Sequence, residues 1–194
     1  MNSGQYIPME IARHAWHWLI DLAETLVIAG AIFVVIYAFL VRPFQVNGNS
    51  MDPTFTNGEY VFTNLLSQRF GPLDRGDVIV FKAPNDKDKD YIKRIIGLPG
   101  DKIRVQDGLV YLNGKRLPEE YLPSGLRTEA RGFAGEGQEV TVQPDTYYVL
   151  GDNRPFSSDS REWGLVTFDK VIGKSALVYW PINKIRFVEH AEYQ

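Results

Sequence analysis

The chain has no cysteine, which excludes thiol nucleophiles, disulfides and cysteine-based zinc sites together. Histidine is nearly as scarce: His14 and His17 precede a long apolar segment, and His190 lies in the C-terminal tail. None falls between residues 42 and 189, so a Ser-His-Asp arrangement drawn from the body is excluded. His190 stays as a formal imidazole donor, at a tail position of the kind that is usually solvated. His14 and His17 have helical i, i+3 spacing without a third ligand, so no metal is expected from them, and nothing else in the chain asks for a cofactor. The net charge is −3, with both signs interspersed. There is no basic block and no aromatic-basic stripe, so no nucleic-acid partner is expected. Internal repeats and low-complexity tracts are absent too. The lack of cysteine is compatible with an exported, oxidising location without proving it.

A long apolar run is present. Leu26 to Val41 reads LVIAGAIFVVIYAFLV without a charge. As a helix this run spans about 24 Å, short of a hydrocarbon core of about 30 Å. Extension back to Trp16 supplies the length, at the cost of including Asp21 and Glu24 near one interface. Trp16 and Trp18 then fall in the headgroup belt, and Arg42 with Pro43 ends the helix on the other side. A buried core helix should show a polar face, which this run lacks. A cleaved leader should have a positive n-region and a small-x-small exit, and Val41-Arg42-Pro43 is no such exit. The expectation is a retained single-span anchor in three parts: a short N-terminal segment at 1–18, a transmembrane helix at 19–41, and a body at 42–194. Few cations flank either end, so charge does not orient the span.

After Arg42 the pattern becomes that of strands. Phe44 to Val46, Glu59 to Leu66, Asp77 to Ala83, Asp90 to Gly97, Lys102 to Gln106 and Leu109 to Leu112 are rich in β-branched and aromatic residues. Gln138 to Val142, Thr146 to Leu150, Val171 to Trp180 and Lys184 to Val188 complete the set. Asp107-Gly108 and Asn113-Gly114 are two-residue hairpin signals. No helical period longer than a couple of turns occurs after residue 45. The fold class expected is mainly β: a barrel-like antiparallel body behind one N-terminal transmembrane helix. Asn85 to Asp90 reads as a solvated hairpin tip. Pro118 to Gly137 reads as a flap within a small insertion around 113–137.

Three stretches carry chemistry. In the first, Gly48-Asn49-Ser50-Met51-Asp52-Pro53-Thr54-Phe55, Ser50 needs a base before it can act as a nucleophile. In the second, Lys93 is the amine best placed to lose its proton, sharing a strand face with Tyr91 and Ile95. Arg94 cannot do so, because a guanidinium stays protonated. On spacing alone, the favoured reading of Lys93-Arg94 is a solvated edge-strand pair. The third runs from Gly151 to Gly164, GDNRPFSSDSREWG, dense in hydroxyl, carboxylate and guanidinium groups. It reads either as a polar loop capping a strand or as a set of groups that orients the lysine.

Together and in this order, Ser50 to Thr54, Tyr91 to Asp101 (YIKRIIGLPGD) and Gly151 to Gly164 resemble the three signature boxes of bacterial type I signal peptidases (leader peptidases). The resemblance covers about residue 25 to residue 182. It implies a Ser-Lys endopeptidase that removes signal peptides from preproteins after small-x-small junctions such as Ala-x-Ala. Ser50 would attack and neutral Lys93 would be general base and then general acid. Ser157 would hydrogen-bond the amine, Asp159 and Arg161 would pair to brace the loop, and Asp152 would support the same region. Gly48, Asn49, Met51, Pro53, Tyr91 and Ile92 would serve oxyanion or substrate binding. The substrate would lie extended beside Phe44 to Gly48 and Asp90 to Lys93.

Some members of the family carry a serine two positions before the nucleophile. Gly48 stands there, a pattern similar to the shorter, Gram-positive-type branch, with the Ser50 N–H as oxyanion donor. The resemblance further implies the plasma membrane, an extracytoplasmic body, and the lipid bilayer and secretion translocon as partners. Eight residues separate Val41 from Ser50, at most about 25–30 Å of chain. Phe44, Phe55, Phe156 and Trp180 are candidates for dipping into lipid, though each reads individually as core. Two other readings stay open: a self-cleaving Ser-Lys domain like that of LexA-like repressors, and a membrane-tethered β-domain that binds partners without catalysis.

Overall fold

A computed structural model describes residues 9–66, 71–86, 88–188, 190–191 and 193. Residues 1–8 of the expected N-terminal segment, and Lys87 of the charged loop, lie outside the described residues. The chain divides into two compact units, up to Leu40 and from Val41 onward.

The first unit is helix α1, Met9–Phe39, 31 residues long. Its stretch Arg13–Val35 has a mean hydropathy of 2.0 and none of it is buried. Leu26, Val27 and Phe33 are each about two-thirds exposed, so the apolar side chains face outward. The helix closes at Phe39, and Val41, expected in the span, instead pairs with Asn64 as the first residue of a strand. Pro43 has no N–H for a helical bond and biases Arg42 to extended backbone, which favours the strand from there on.

The second unit is antiparallel β. Its larger sheet contains β1 (Val41–Gln45), β2 (Tyr60–Asn64), β3 (Val78–Lys82), β4 (Asp90–Gly97), β9 (Thr146–Leu150), β10 (Val166–Thr167), β11 (Val171–Trp180) and β12 (Arg186–Phe187). The order is β1-β2-β11-β3-β4-β9-β10, with β12 paired to β11. This sheet is open at β1 and β10 rather than closed into a barrel. The smaller sheet holds β5 (Lys102–Gln106), β6 (Leu109–Leu112), β7 (Lys115–Arg116) and β8 (Glu139–Thr141), in the order β7-β6-β5-β8. Its two hairpins turn at Asp107-Gly108 and Asn113-Gly114, where all four residues have positive φ, as a two-residue loop of this hand requires. One short helix lies in the loop after β9: α2, Ser160–Trp163.

The core explains why β4 is the pivot. Along β4 and β9 alternate residues point to opposite faces. Ile95, Tyr147 and Val149 pack with Ile79 and Phe81, whereas Ile96, Tyr148 and Leu150 pack with Ile103, Val110 and Val142 of and around the smaller sheet. A third cluster joins Val46, Met51 and Phe55 to Val61, Val78 and Val178. Because both faces of β4 are covered, Lys93 and Arg94 sit in a central buried strand, and the solvated edge-strand reading fails. The expected flap is not a free lobe. Residues 113–116 complete the β6–β7 hairpin, and Arg154 and Arg131 tie the irregular chain beyond to the 151–164 loop.

Ile95 and Ile96 are fully buried on opposite faces of one strand. Ile95→Ala and Ile96→Ala should each lose about 2–5 kcal/mol in urea unfolding, whereas Lys102→Ala on the exposed face should stay within about 0.5 kcal/mol.

Candidate active site

The turn that carries Ser50 is fixed by the residues on the C-terminal side of Ser50 rather than by Ser50 itself. Met51 and Phe55 are fully buried in the third core cluster, which nails the turn at both ends. Phe55 N donates to Met51 O at 2.9 Å, and Val46 N to Glu59 O at 2.8 Å. Behind the turn, the buried Glu59 carboxylate accepts from Thr56 N at 3.1 Å and from Arg186 at 2.8 and 3.1 Å. Burial raises the Glu59 pKa, but the Arg186 and Thr56 bonds outweigh it and hold the carboxyl below its ordinary range. Arg186 also donates to Thr54 O at 2.6 Å, tying β12 to the turn. Gly48 adopts φ +105°, a conformation that L side chains rarely take, and its N–H donates to Asn57 Oδ1 at 2.8 Å.

Lys93 reaches the turn from β4. Its Nζ lies 2.7 Å from Ser50 Oγ and donates to Ile92 O at 2.9 Å, with the Tyr91 ring centroid 5.5 Å away. The side chain is 4% exposed, and this burial lowers its pKa from 10.5 to about 8, against the opposing pull of Asp159 and Asp152. As an ammonium, Nζ donates to Ser50 Oγ; once neutral, its lone pair can accept the hydroxyl proton at the same distance.

The 151–164 loop supplies the frame. Asp152 is fully buried and binds Arg94 through both oxygens, at 3.0 and 2.7 Å, while Thr54 Oγ1 donates to it at 2.5 Å. Asp152 thus joins β4 to the turn that carries Ser50. Burial lowers the Arg94 pKa, but the bond to Asp152 more than offsets it and the net direction is upward. Asp159 caps α2, accepts from Gly151 N at 3.1 Å and pairs bidentately with Arg161 at 2.8 Å on each oxygen. Gly151 lies so close to Ser50 that a Cβ there would stand 2.4 Å from Ser50 O and 2.2 Å from Ser157 Oγ. The hydrogen bond expected from Ser157 to the amine is not formed. Ser157 Oγ is buried without a partner among the described residues, while Nζ is engaged by Ser50 and by the carbonyl of Ile92.

Several functional neighbours are not legible as such in the sequence. Arg94 stands out there only as a non-base, although a guanidinium inside an apolar run demands a buried carboxylate, and Asp152 is the spare one. Arg154 pairs with Glu119 and donates to Thr128 Oγ1 at 2.6 Å and to Gly151 O at 3.0 Å. Arg131 reaches Ser157 O at 2.6 Å and Pro155 O at 2.9 Å, and Arg161 donates to Glu129 O at 3.2 Å. These bonds hold the irregular 118–135 chain against the loop. Ser160 Oγ accepts from Val149 N at 2.9 Å, and His190 engages Asp77 at 3.0 Å.

A groove of about 640 Å³ opens at Ser50 and Lys93. Phe44 to Asn47 lie along one side, Asp90 to Lys93 along another, and Ser50 and Ser158 contribute as well. Tyr91 and Ile92 line it. Met51 and Pro53 do not: Met51 is in the core, and Pro53 lines a separate cavity of about 290 Å³ beside Thr54, Arg94 and Tyr121. Asn49 is exposed beside Ser50, with its carbonyl held from the loop. Of the four aromatics considered for lipid contact, Phe55 is fully buried and Phe44 packs on the core, while Phe156 and Trp180 are exposed.

A family model described as signal peptidase, peptidase S26, matches residues 19–180. The chain is 35% identical over 181 residues to signal peptidase IB of Staphylococcus aureus (strain MRSA252), covering 88% of this chain and 92% of that protein. It is 38% identical over 172 residues to signal peptidase I of Bacillus licheniformis, covering 87% and 92%. A crystal structure of a signal peptidase I from Enterococcus faecalis V583, 34% identical, superimposes with a TM-score of 0.45 over 53% of this chain and 96% of that one. The chain belongs to the signal peptidase family, peptidase S26, and is a serine endopeptidase of signal-peptide cleavage.

Proposed function

We propose that this chain is a membrane-anchored Ser-Lys endopeptidase that cuts preproteins after small-x-small junctions, with Ser50 as nucleophile and Lys93 as general base. The observation that carries the reading is the 2.7 Å separation of Nζ and Oγ around an amine that burial holds near pKa 8. In the acylation step, Ser50 Oγ attacks the scissile carbonyl carbon while its proton passes to neutral Lys93. Negative charge collects on the carbonyl oxygen, facing the Ser50 N–H. As the C–N bond breaks, the Lys93 ammonium gives its proton to the departing amine of the mature chain. Water then attacks the Ser50 ester, Lys93 again takes the proton, and release of the signal peptide carboxylate restores Ser50. Asp152 with Arg94, and Asp159 with Arg161, hold the loop that keeps water from the amine. Ser157, with its hydroxyl beside Gly151, belongs to the same wall. The groove beside Phe44 to Asn47 suits an extended peptide that bonds through its main chain.

For membrane attachment, the support is α1, whose 31 residues amount to about 46 Å of helix with apolar side chains turned outward. On this reading the partners are preprotein signal peptides, the bilayer and the secretion translocon, and the body works on the outer side of the plasma membrane.

Incubation of the detergent-solubilised protein with a preprotein bearing an Ala-x-Ala junction tests the dyad. Ser50→Ala and Lys93→Ala should each lower kcat/KM by at least about a thousandfold while leaving a folded protein; cleavage surviving either change refutes the assignment. For the wild type, kcat/KM should climb about tenfold per pH unit below pH 8 and level off above about pH 9, since only the neutral amine acts as base. A flat profile with chemistry rate-limiting would remove lysine from that role. Gly151→Ala should cost at least about a hundredfold in kcat/KM, because the added methyl displaces Ser50 O or Ser157; near-normal kinetics would show that the contact is not needed.

A further inference from the structure

We infer that Asn153 is a positioning residue for the oxyanion donor: its side-chain amide sets the direction of the Ser50 N–H by gripping the other end of the same peptide plane. Asn153 Nδ2 donates to Asn49 O at 2.9 Å, and Asn153 N donates to Ser50 O at 3.0 Å. The loop therefore holds two consecutive carbonyls of the nucleophile turn, one through a side chain and one through backbone. Asn49 O also accepts from Asp52 N at 3.2 Å, so both of its lone pairs are engaged.

The Asn49–Ser50 peptide is trans, the cis bonds among the described residues being Asp52–Pro53 and Trp180–Pro181. A trans peptide is planar, with its C=O and N–H directed oppositely. To fix the Asn49 oxygen is thus to fix the Ser50 hydrogen. Donation to the carbonyl also polarises the amide, which makes its N–H a stronger donor. Among the described residues the Ser50 N–H donates to no backbone or side-chain acceptor, whereas the neighbouring Gly48 N–H is engaged by Asn57 Oδ1. The donor next to the attacking oxygen is free, and Asn153 holds it in place. No side-chain hydroxyl is present at Gly48 to share that work.

The inference rests on Ser50 being the nucleophile, and the experiment separates the two claims. Asn153→Ala removes the bond to Asn49 O but keeps the backbone bond to Ser50 O, so the turn stays docked. Asn153→Asp keeps the shape and sets an acceptor against the carbonyl. Both variants are assayed beside Ser50→Ala on a peptide with an Ala-x-Ala junction, with rates normalised to folded protein by thermal melting. Per folded molecule, kcat should fall about 10- to 100-fold in both, with KM within about twofold of wild type. The acid limb of the kcat/KM profile should stay where it is, since Lys93 with its facing groups Asp152, Asp159 and Tyr91 is untouched. A kcat within twofold of wild type, a loss confined to KM, or a displaced acid limb overturns the role. If Ser50→Ala is inactive while Asn153→Ala is normal, only this inference fails. If Ser50→Ala cleaves normally, the nucleophile assignment falls and this inference with it.

Discussion

Lys93 is an amine held out of water, and most of the β body can be understood as what makes that tolerable. Keeping its pKa near 8 instead of 10.5 means that burial disfavours the ammonium by roughly 3 kcal/mol. Between about pH 8 and 10.5 the unfolded chain binds this proton and the folded chain does not, so stability rises with pH across that window and the full cost persists below it. A strand at a sheet edge would let water solvate the ammonium and raise the pKa. β4 instead lies between β3 and β9 with a core cluster on either face. The two carboxylates that pull the pKa upward, Asp159 and Asp152, are each held by a buried guanidinium, Arg161 and Arg94. Their attraction for the ammonium is thereby divided with a closer partner.

The same pairs explain why the 151–164 loop resembles core more than surface. Arg94, Arg154 and Arg161 are among the largest fully buried side chains, and each has a carboxylate: Asp152, Glu119 and Asp159. Breaking one such pair strands a charge inside the protein, which is far costlier than losing a surface ion pair. Other guanidinium donors are committed to two distant segments, at Gly76 and at Thr128 and Glu129, and to carbonyls of the loop itself at Gly151 and Arg154. Residues 118–135, with little regular structure of their own, take their conformation from those donors. Specific geometry around Ser50 and Lys93 results from directional charged bonds laid over an apolar base.

Much of this is legible from local pattern. Strand positions come from β-branched and aromatic runs, and the hairpins at Asp107-Gly108 and Asn113-Gly114 from residues that accept positive φ. The pairing of Ser50 with Lys93 is implied by the resemblance of the three boxes, and the missing histidine and cysteine only narrow the alternatives. What local pattern cannot carry is pairing at long range. Asp152 and Arg94 are 58 positions apart, Arg154 and Glu119 35, and neither spacing leaves a periodic trace. Met51 illustrates the opposite error. Its place next to Ser50 suggests a role in substrate binding, yet an apolar side chain in a turn closed by Phe55 gains more from the core. Side-chain direction in a turn depends on φ and ψ, which the letters alone do not give.

Gly48 shows how backbone conformation decides which chemistry is open to a site. At φ +105° a serine would be strained, so the turn as built does not lend itself to a hydroxyl two residues before Ser50. On the proposed mechanism, stabilisation of a developing oxyanion would fall to main-chain N–H groups, and a main-chain donor is useful only if its peptide cannot rotate. Side-chain donors can be aimed by their own rotamers, but a peptide must be aimed by its neighbours. That requirement places a second constraint on the loop, distinct from keeping Lys93 dry. The loop must approach near enough for Gly151 to touch Ser50 O and for Asn153 to reach Asn49 O. On the proposed mechanism, two demands with different chemistry, a desolvated base and an immobile amide, would converge on one close approach, and a glycine at 151 is what the approach permits.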